Sequence, residues 1–593
     1  MSKLESTTQY SRFTPQKIFF LLLTLLFVIA PFYYQPNFGG EGLYLPYNSS
    51  VWFVAVWIIA TGAILLSRSH LLVLPKYWLG IACLPIGALL TGFVVDTSNP
   101  TEWLTRLSVI LGGYFFFLSL FQFQLSPKHV EQGLYIILAM GMVAAAYAIF
   151  QIHNFTHLYS FIPRSNGIPV GIFQQINLQA SLMATLLVLV YYLISRPMLN
   201  SMSWFIRLVL CITAFTASYV IASSGSRVGL LGALLGVTLL VLGRWNLLKI
   251  NKKTFIFIIL STILGASLQT SGLLKSAAKF DRAIGGMEAD IRWKVYKISW
   301  ETFLEKPLLG HGLGSFQKVF QEKRKEYQQE DILHLNNAPR FSHPHNELFF
   351  WLVEGGMLSI TGILIAAGAT LIQLVRSGWQ RGSAYAALLI PITLHTQVEL
   401  PFYISNTHWL LLLFLLFLTH QHKRKSVSAQ GLSLAANRLI PITFISIAIL
   451  SSYILVQAQI ANAHLVKYLA SRSTQAQHLE VSLNSFYFRE HARYLKYRHN
   501  MIEGLKNQEA KPIIELINYT EHLVKTTPAV NYYIELINAY NVLGQPELRD
   551  QRLQEALGIY ESNKQLLYIK QRIKLRESSQ VKEDKPKGQN LEE

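Results

Sequence analysis

The sequence predicts an all-α polytopic membrane protein that crosses a bilayer about thirteen times. Three observations predict it. Of 593 residues, 51% are hydrophobic and only 14% are charged, against about 25% charged in soluble domains. The apolar residues gather into runs of membrane-crossing length. The short loops between those runs alternate between basic and nearly uncharged, as the positive-inside rule requires.

In chain order the runs cover residues 18–32, 51–66, 78–95, 104–121, 130–149, 176–194, 204–221, 228–242, 254–274, 348–374, 383–397, 408–418 and 439–456. Phe32-Tyr33-Tyr34 followed by Pro36 is a poor small-residue cleavage site, so the first run reads as an uncleaved helix. Cys83 and Cys211 fall inside runs and read as small buried hydrophobes rather than a disulfide framework. The net charge of +19 is topogenic. With the N-terminus inside, Arg68, Lys76, Arg244, Lys249, Lys252, Lys253 and Lys423-Arg424-Lys425 are cytoplasmic, whereas loops 35–50 and 400–407 carry no lysine or arginine. Nothing in this distribution calls for nucleic acid as a partner.

That orientation divides the chain into helices over 1–274, a large outer loop over 275–347, helices over 348–457, an outer helical domain over 458–577 and a disordered tail over 578–593. An even number of spans would move the C-terminal domain to the other side. Within the loop, residues 291–303 place aromatic and aliphatic side chains at helical spacing and stop before Pro307. In the C-terminal domain Leu536, Tyr540, Gly544, Pro546, Ala556, Leu557 and Tyr560 are spaced like one tetratricopeptide-type repeat in paired helices over 531–572.

Chemistry concentrates where the large loop meets the membrane, at Phe341-Ser342-His343-Pro344-His345-Asn346-Glu347. Imidazole takes or holds a proton near neutral pH, and a neighbouring amide can fix its tautomer. Other polar residues sit at outer helix ends or in the loop: Gln174, Asn177, Arg227, Arg292, Lys294, His311, His395 and Glu399. Each also has a bland reading. Arg227 can snorkel to headgroups, Arg292 and Lys294 can be a solvated face, and His395 can pair with Glu399 to steady packing. Zinc is a poor fit, because His343-x-His345 lacks a third ligand at typical spacing. For magnesium the loop offers only Glu288 with Asp290 and Glu330 with Asp331. No Walker loop implicates ATP. Arginine forks with a histidine suit transfer from a lipid-linked diphosphate to a hydroxyl.

His343-Pro344-His345-Asn346 resembles the signature of the bacterial O-antigen ligase and polymerase superfamily, and more narrowly the PglL-type O-linked oligosaccharyltransferases. The resemblance runs from about Gly171 to Pro401 through Gln174-x-x-Asn177-Leu178, Ser226-Arg227, Arg292, Pro307-Leu308-Leu309-Gly310-His311-Gly312, Glu354, Gly356 and His395-x-x-x-Glu399-x-Pro401. It implies an inner-membrane glycosyltransferase with its site facing the periplasm. Such an enzyme passes glycan from undecaprenyl diphosphate to a hydroxyl of a periplasmic protein such as pilin, with inversion and without cofactor or metal. It further implies that His345 acts on the acceptor hydroxyl, supported by His343 and Asn346. Arg227 and Arg292, with Lys294 as a competitor for the latter, would bind the diphosphate. An O-antigen ligase acting on lipid A-core, or a polymerase, shares the donor. A transporter or flippase is the reading from another class, but it calls for inverted repeats and mid-membrane ionisable residues, which the sequence does not display.

Overall fold

Each of the apolar runs folds as a helix. In the computed structural model, which describes residues 14–583 apart from 98, 159, 275–276, 278–290, 336–337, 339 and 429–433, they form α1 (Pro15–Thr24), α2 (Pro46–Ser69), α3 (Trp78–Val94), α4 (Pro100–Gln122), α5 (Pro127–Ile152), α6 (Ile176–Ile194), α7 (Trp204–Ser224), α8 (Arg227–Leu248) and α9 (Lys252–Ser267). The large loop contributes α10 (Ile291–Glu305) and α11 (Phe316–Gln329). Then come α12 (Glu347–Arg376), α13 (Trp379–His395), α14 (Asn406–His420) and α15 (Leu434–Ala470). Nine stretches among the described residues are long and apolar enough to cross a membrane, one of which, Arg227–Ser267, contains both α8 and α9. The apolar helices α3 and α14 are shorter.

Local chemistry sets the helix starts. Pro46, Pro100 and Pro127 stand at first helical positions, where a missing N–H costs nothing. Asn99, Ser226 and Asn346 cap α4, α8 and α12 through their side-chain oxygens. Glycines let the membrane helices approach closely: Gly229 lies on Ala180, and Gly243, Gly236 and Gly232 of α8 lie against Ser383, Ala387 and Pro391 of α13.

The expected C-terminal domain is helical, with α16 (Gln477–Leu483), α17 (Arg489–Asn507), α18 (Lys511–Thr526), α19 (Val530–Val542), α20 (Pro546–Ile559) and α21 (Lys564–Glu583). Its own core includes Ile513, Tyr533, Leu536, Ala556 and Leu566. α21 carries helix to Glu583, so the first residues of the expected disordered tail are helical; the remainder lies outside the described residues. The domain stands on the same side as the large loop. Arg324 of α11, almost fully buried, places its guanidinium 5.1 Å from the Tyr560 ring centre, and His334 reaches Glu561 at 2.9 Å. Tyr44, in the loop between α1 and α2, bonds His491 at 3.1 Å. On the opposite side β1 (Leu71–Pro75) pairs antiparallel with β2 (Arg424–Ser428), a two-stranded exception to the otherwise helical architecture.

α12 is broken, and the break joins the loop to the membrane. Gly356 has φ +59° and ψ −164°, a conformation open essentially only to glycine. The interrupted helix leaves backbone groups without intrahelical partners, and the segment after Pro307 supplies them. His311 N donates to Val353 O at 2.9 Å and Gly312 N to Glu354 O at 3.0 Å. Met357 N donates to Pro307 O at 2.8 Å and Leu358 N to Leu308 O at 3.1 Å. A Cβ on Gly356 would lie 2.5 Å from Leu308 O. Gly356→Ala is therefore expected to cost about 1–3 kcal/mol from backbone strain alone, visible as a lower melting temperature of the detergent-solubilised protein.

Candidate active site at the histidine motif

A small apolar core fixes the motif. Val295, Ile298 and Phe303 of α10 pack with Phe316 and Phe320 of α11, and with Phe341, Phe350 and Leu400. The motif runs from Phe341 into the first turn of α12, so both its ends are held. Asn346 caps α12 by accepting from Phe349 N at 3.1 Å, and it donates to Gln397 O at 2.9 Å. Its amide thus serves the backbone, and the expected role in setting an imidazole tautomer falls to a carboxylate.

That carboxylate is Glu399. His345 adopts a left-handed φ of +56°, uncommon without a glycine, and its Nδ1 lies 2.6 Å from Glu399 Oε1. Nδ1–H donates to the carboxylate, which leaves the lone pair on Nε2. A histidine so oriented can accept a proton from a hydroxyl. Burial raises the Glu399 pKa. The hydrogen bond from His345 and the charges of His345, His343 and Arg292 outweigh burial, and the net shift is below the ordinary carboxylate value. The expected pairing of Glu399 with His395 does not form. His395 is fully buried and bonds Ser181 Oγ at 2.9 Å, because α6 and not the loop packs against that face of α13.

His343 lies beside His345, ring centres 4.5 Å apart, and its Nδ1 accepts from His345 N at 3.2 Å. Folding brings the two histidines and Glu399 together with ligand atoms within 4.8 Å, so the third donor that the sequence spacing seemed to lack is present. The tautomer works against a cation. With Nδ1 of His343 occupied by the backbone N–H, Nε2 carries the proton, and ligation would require breaking that bond. Burial, with the charge of His345 beside it, pushes the His343 pKa down to about 4. The unfolded chain then binds a proton that the folded one refuses, so this contribution to stability is complete above pH 6.5 and is lost as pH falls toward 4. Melting temperature is expected to fall over that window, with a shallower slope for His343→Asn, whose side-chain oxygen can replace Nδ1.

His343 lines a cavity of about 2450 Å³. At membrane level its walls are apolar, with Leu84 of α3, Ile363 and Ala367 of α12, Leu389 of α13 and Leu412 of α14. At the level of the motif they carry Glu41, Glu102, Arg106, Arg340 and Glu347, and beyond it α17, α18 and α19 close the far side. Arg106 is buried and ion-paired with Glu102 and Glu354, its guanidinium 4.4 Å from the Phe350 ring centre. Glu354 also accepts from Phe316 N at 2.9 Å. Arg106 and Glu354 each stand about two turns from the helix end nearest the motif. Burial, with Glu102 nearby, pushes Glu41 up to about 7 against the pull of Arg106 and Arg340. Sequence reasoning missed Arg106, although a lone arginine in one apolar run and a lone glutamate in another are a signal for such a pair.

The other expected site residues disperse. Arg292 acts on Glu399 electrostatically and stands one turn before Tyr296, whose hydroxyl reaches His345 O at 3.4 Å. The antiparallel contacts of α8 with α13 bring Arg227 level with the outer end of α13, at His395 and Thr396. Asn177 accepts from the capping Ser226 hydroxyl at 2.8 Å, and Gln174 donates to Asn37 at 3.1 Å. Lys294 ties α10 to His334 O at 3.0 Å. His311 bonds Thr302 O at 2.8 Å and lines a second cavity of about 440 Å³ with Asp96 and Glu305. Asp331, one of the expected loop carboxylates, bonds His334 at 2.6 Å; Glu288 and Asp290 lie outside the described residues.

Residues 212–367 match the family model described as O-antigen ligase, and residues 383–572 match the one described as virulence factor membrane-bound polymerase, C-terminal. No curated protein matches the chain. Arg227, Arg292 and both motif histidines fall in the first segment and Glu399 in the second, so the His345–Glu399 contact joins them. With these two domains in sequence, the chain is a membrane protein of the O-antigen ligase and polymerase superfamily.

Proposed function

We propose that the protein is an oligosaccharyltransferase that moves glycan from undecaprenyl diphosphate to a serine or threonine hydroxyl of a periplasmic protein such as pilin. The supporting observation is one cavity that joins an apolar intramembrane groove to His343, the ring neighbour of the His345–Glu399 dyad, and then to a helical exterior domain. A lipid-linked glycan has the same three parts in the same order. The acceptor oxygen attacks the anomeric carbon as the bond to the diphosphate breaks, which inverts that centre. His345 Nε2 takes the hydroxyl proton, and Glu399 stabilises the imidazolium. Arg227 and Arg292, at the outer end of α13, hold the departing diphosphate, with Arg340 on the cavity side. On this reading the enzyme sits in the inner membrane with its site facing the periplasm.

The O-antigen ligase and polymerase matches favour a second reading, transfer to lipid A-core or to a growing glycan chain. The acceptor separates the two. Intact-mass spectrometry of periplasmic proteins with and without the gene should show loss of a glycan mass from at least one of them. Unchanged proteins with a shortened lipopolysaccharide ladder overturn the protein-acceptor assignment. Transfer by the purified enzyme is expected to continue in EDTA. Loss that magnesium or manganese restores would refute a metal-free mechanism.

A further inference from the structure

The cavity, about 2450 Å³, is more than twice the upper end of the roughly 300–1,000 Å³ that serves a drug-sized ligand, and its outer part is lined by the C-terminal domain. There α17 contributes Tyr494 and Arg498, α18 Tyr519, and α19 Tyr532 and Glu535. Tyr494 and Tyr532 meet edge to face with ring centres 5.0 Å apart. Arg498 Nε holds Glu535 at 2.9 Å, and the Tyr519 hydroxyl donates to Glu490 at 2.7 Å. Arg340, three residues before His343, acts electrostatically on Tyr532, which ties this wall to the histidine motif.

The chemistry of the wall selects its occupant. Sugars present a C–H face that stacks on an aromatic ring, and a rim of hydroxyls that both donate and accept. Half-buried tyrosines beside fixed guanidinium–carboxylate pairs meet both demands. An extended polypeptide is read by a free strand edge or an apolar groove. Polar side chains outnumber the apolar Leu523, Val530 and Ile534 in this mainly helical wall, and the β-ribbon among the described residues lies on the opposite side of the molecule.

We propose that the cavity wall built by α17, α18 and α19 is a carbohydrate subsite that holds the donor's sugars distal to the diphosphate. This rests on the proposed donor, whichever acceptor the enzyme uses. The wall then makes the enzyme selective for glycan length and composition.

The test uses the full-length protein in detergent and the free oligosaccharide released by mild acid from the host's lipid-linked pool. Tyr494→Ala and Tyr532→Ala are expected to weaken oligosaccharide binding about tenfold, as loss of one stacking contact would, whereas Tyr532→Phe keeps it. The alanine variants should slow transfer from the full-length lipid-linked donor and leave a lipid-linked monosaccharide donor within about twofold of the parent rate. His345→Ala should bind the oligosaccharide normally and lose transfer, which separates failure of the subsite from failure of the assigned chemistry. Equal slowing with both donors overturns the proposal. So does unchanged oligosaccharide binding with a raised KM for the protein acceptor, a result that would make the wall a polypeptide surface. Circular dichroism and Tyr532→Phe exclude misfolding as the cause.

Discussion

Under the proposed mechanism Glu399→Gln is expected to lower kcat for glycan transfer by about 10²–10⁴-fold with little change in KM, the range expected when proton transfer loses its oriented base. The amide keeps the shape of the carboxylate but can donate to Nδ1 of His345, which would move the ring proton to Nε2 and leave no lone pair for the hydroxyl. It also removes the negative charge that steadies the imidazolium. His345→Ala should fall at least as far, and the double variant no further, because the pair acts as a unit. Initial rates with a defined lipid-linked donor and a purified acceptor decide this. A threefold or smaller loss in Glu399→Gln removes His345 from the role of base.

Arg106→Met is expected to cost about 3–5 kcal/mol of stability, the usual penalty for leaving buried charge without its partner. The substitution abandons Glu102 and Glu354 together, and both face the same space. Glu354 also holds Phe316 N, so α11 should loosen with it, and expression should fall alongside the melting temperature. Adding Glu354→Gln keeps an acceptor for Phe316 N and removes one orphaned charge, so the double variant should recover part of the loss. Strictly additive losses would show that the two residues do not communicate.

The apolar helices were legible because a bilayer imposes its length on any segment that crosses it, and each run landed on a helix. The motif was legible as well, since two histidines at a polar–apolar boundary stand out in one dimension. Its working partner did not. Glu399 comes from the far end of α13, and only the packing of α13 beside α12 decides whether it meets His345 or His395. Arg106 was hidden for a related reason: within an apolar run its meaning depends on Glu354, 248 residues away. Asn346 was assigned chemistry although its position one residue before a helix already spelled a cap. Counting thirteen spans put the C-terminal domain on the side of the large loop, but an error of one span would have moved it. The contact of buried Arg324 with Tyr560 puts the two on one side independently of that count.

The break at Gly356 separates two mechanical tasks within one helix. The part beyond it spans the membrane and must follow the thickness and tilt of the surrounding lipid. The part before it carries the motif and is clamped to the large loop by backbone bonds on both sides of the interruption. The same short segment also bonds the first residues of the membrane half, so the loop splints the glycine instead of leaving it a free hinge. Tilting imposed by the lipid is then borne by that splint before it reaches the histidine motif.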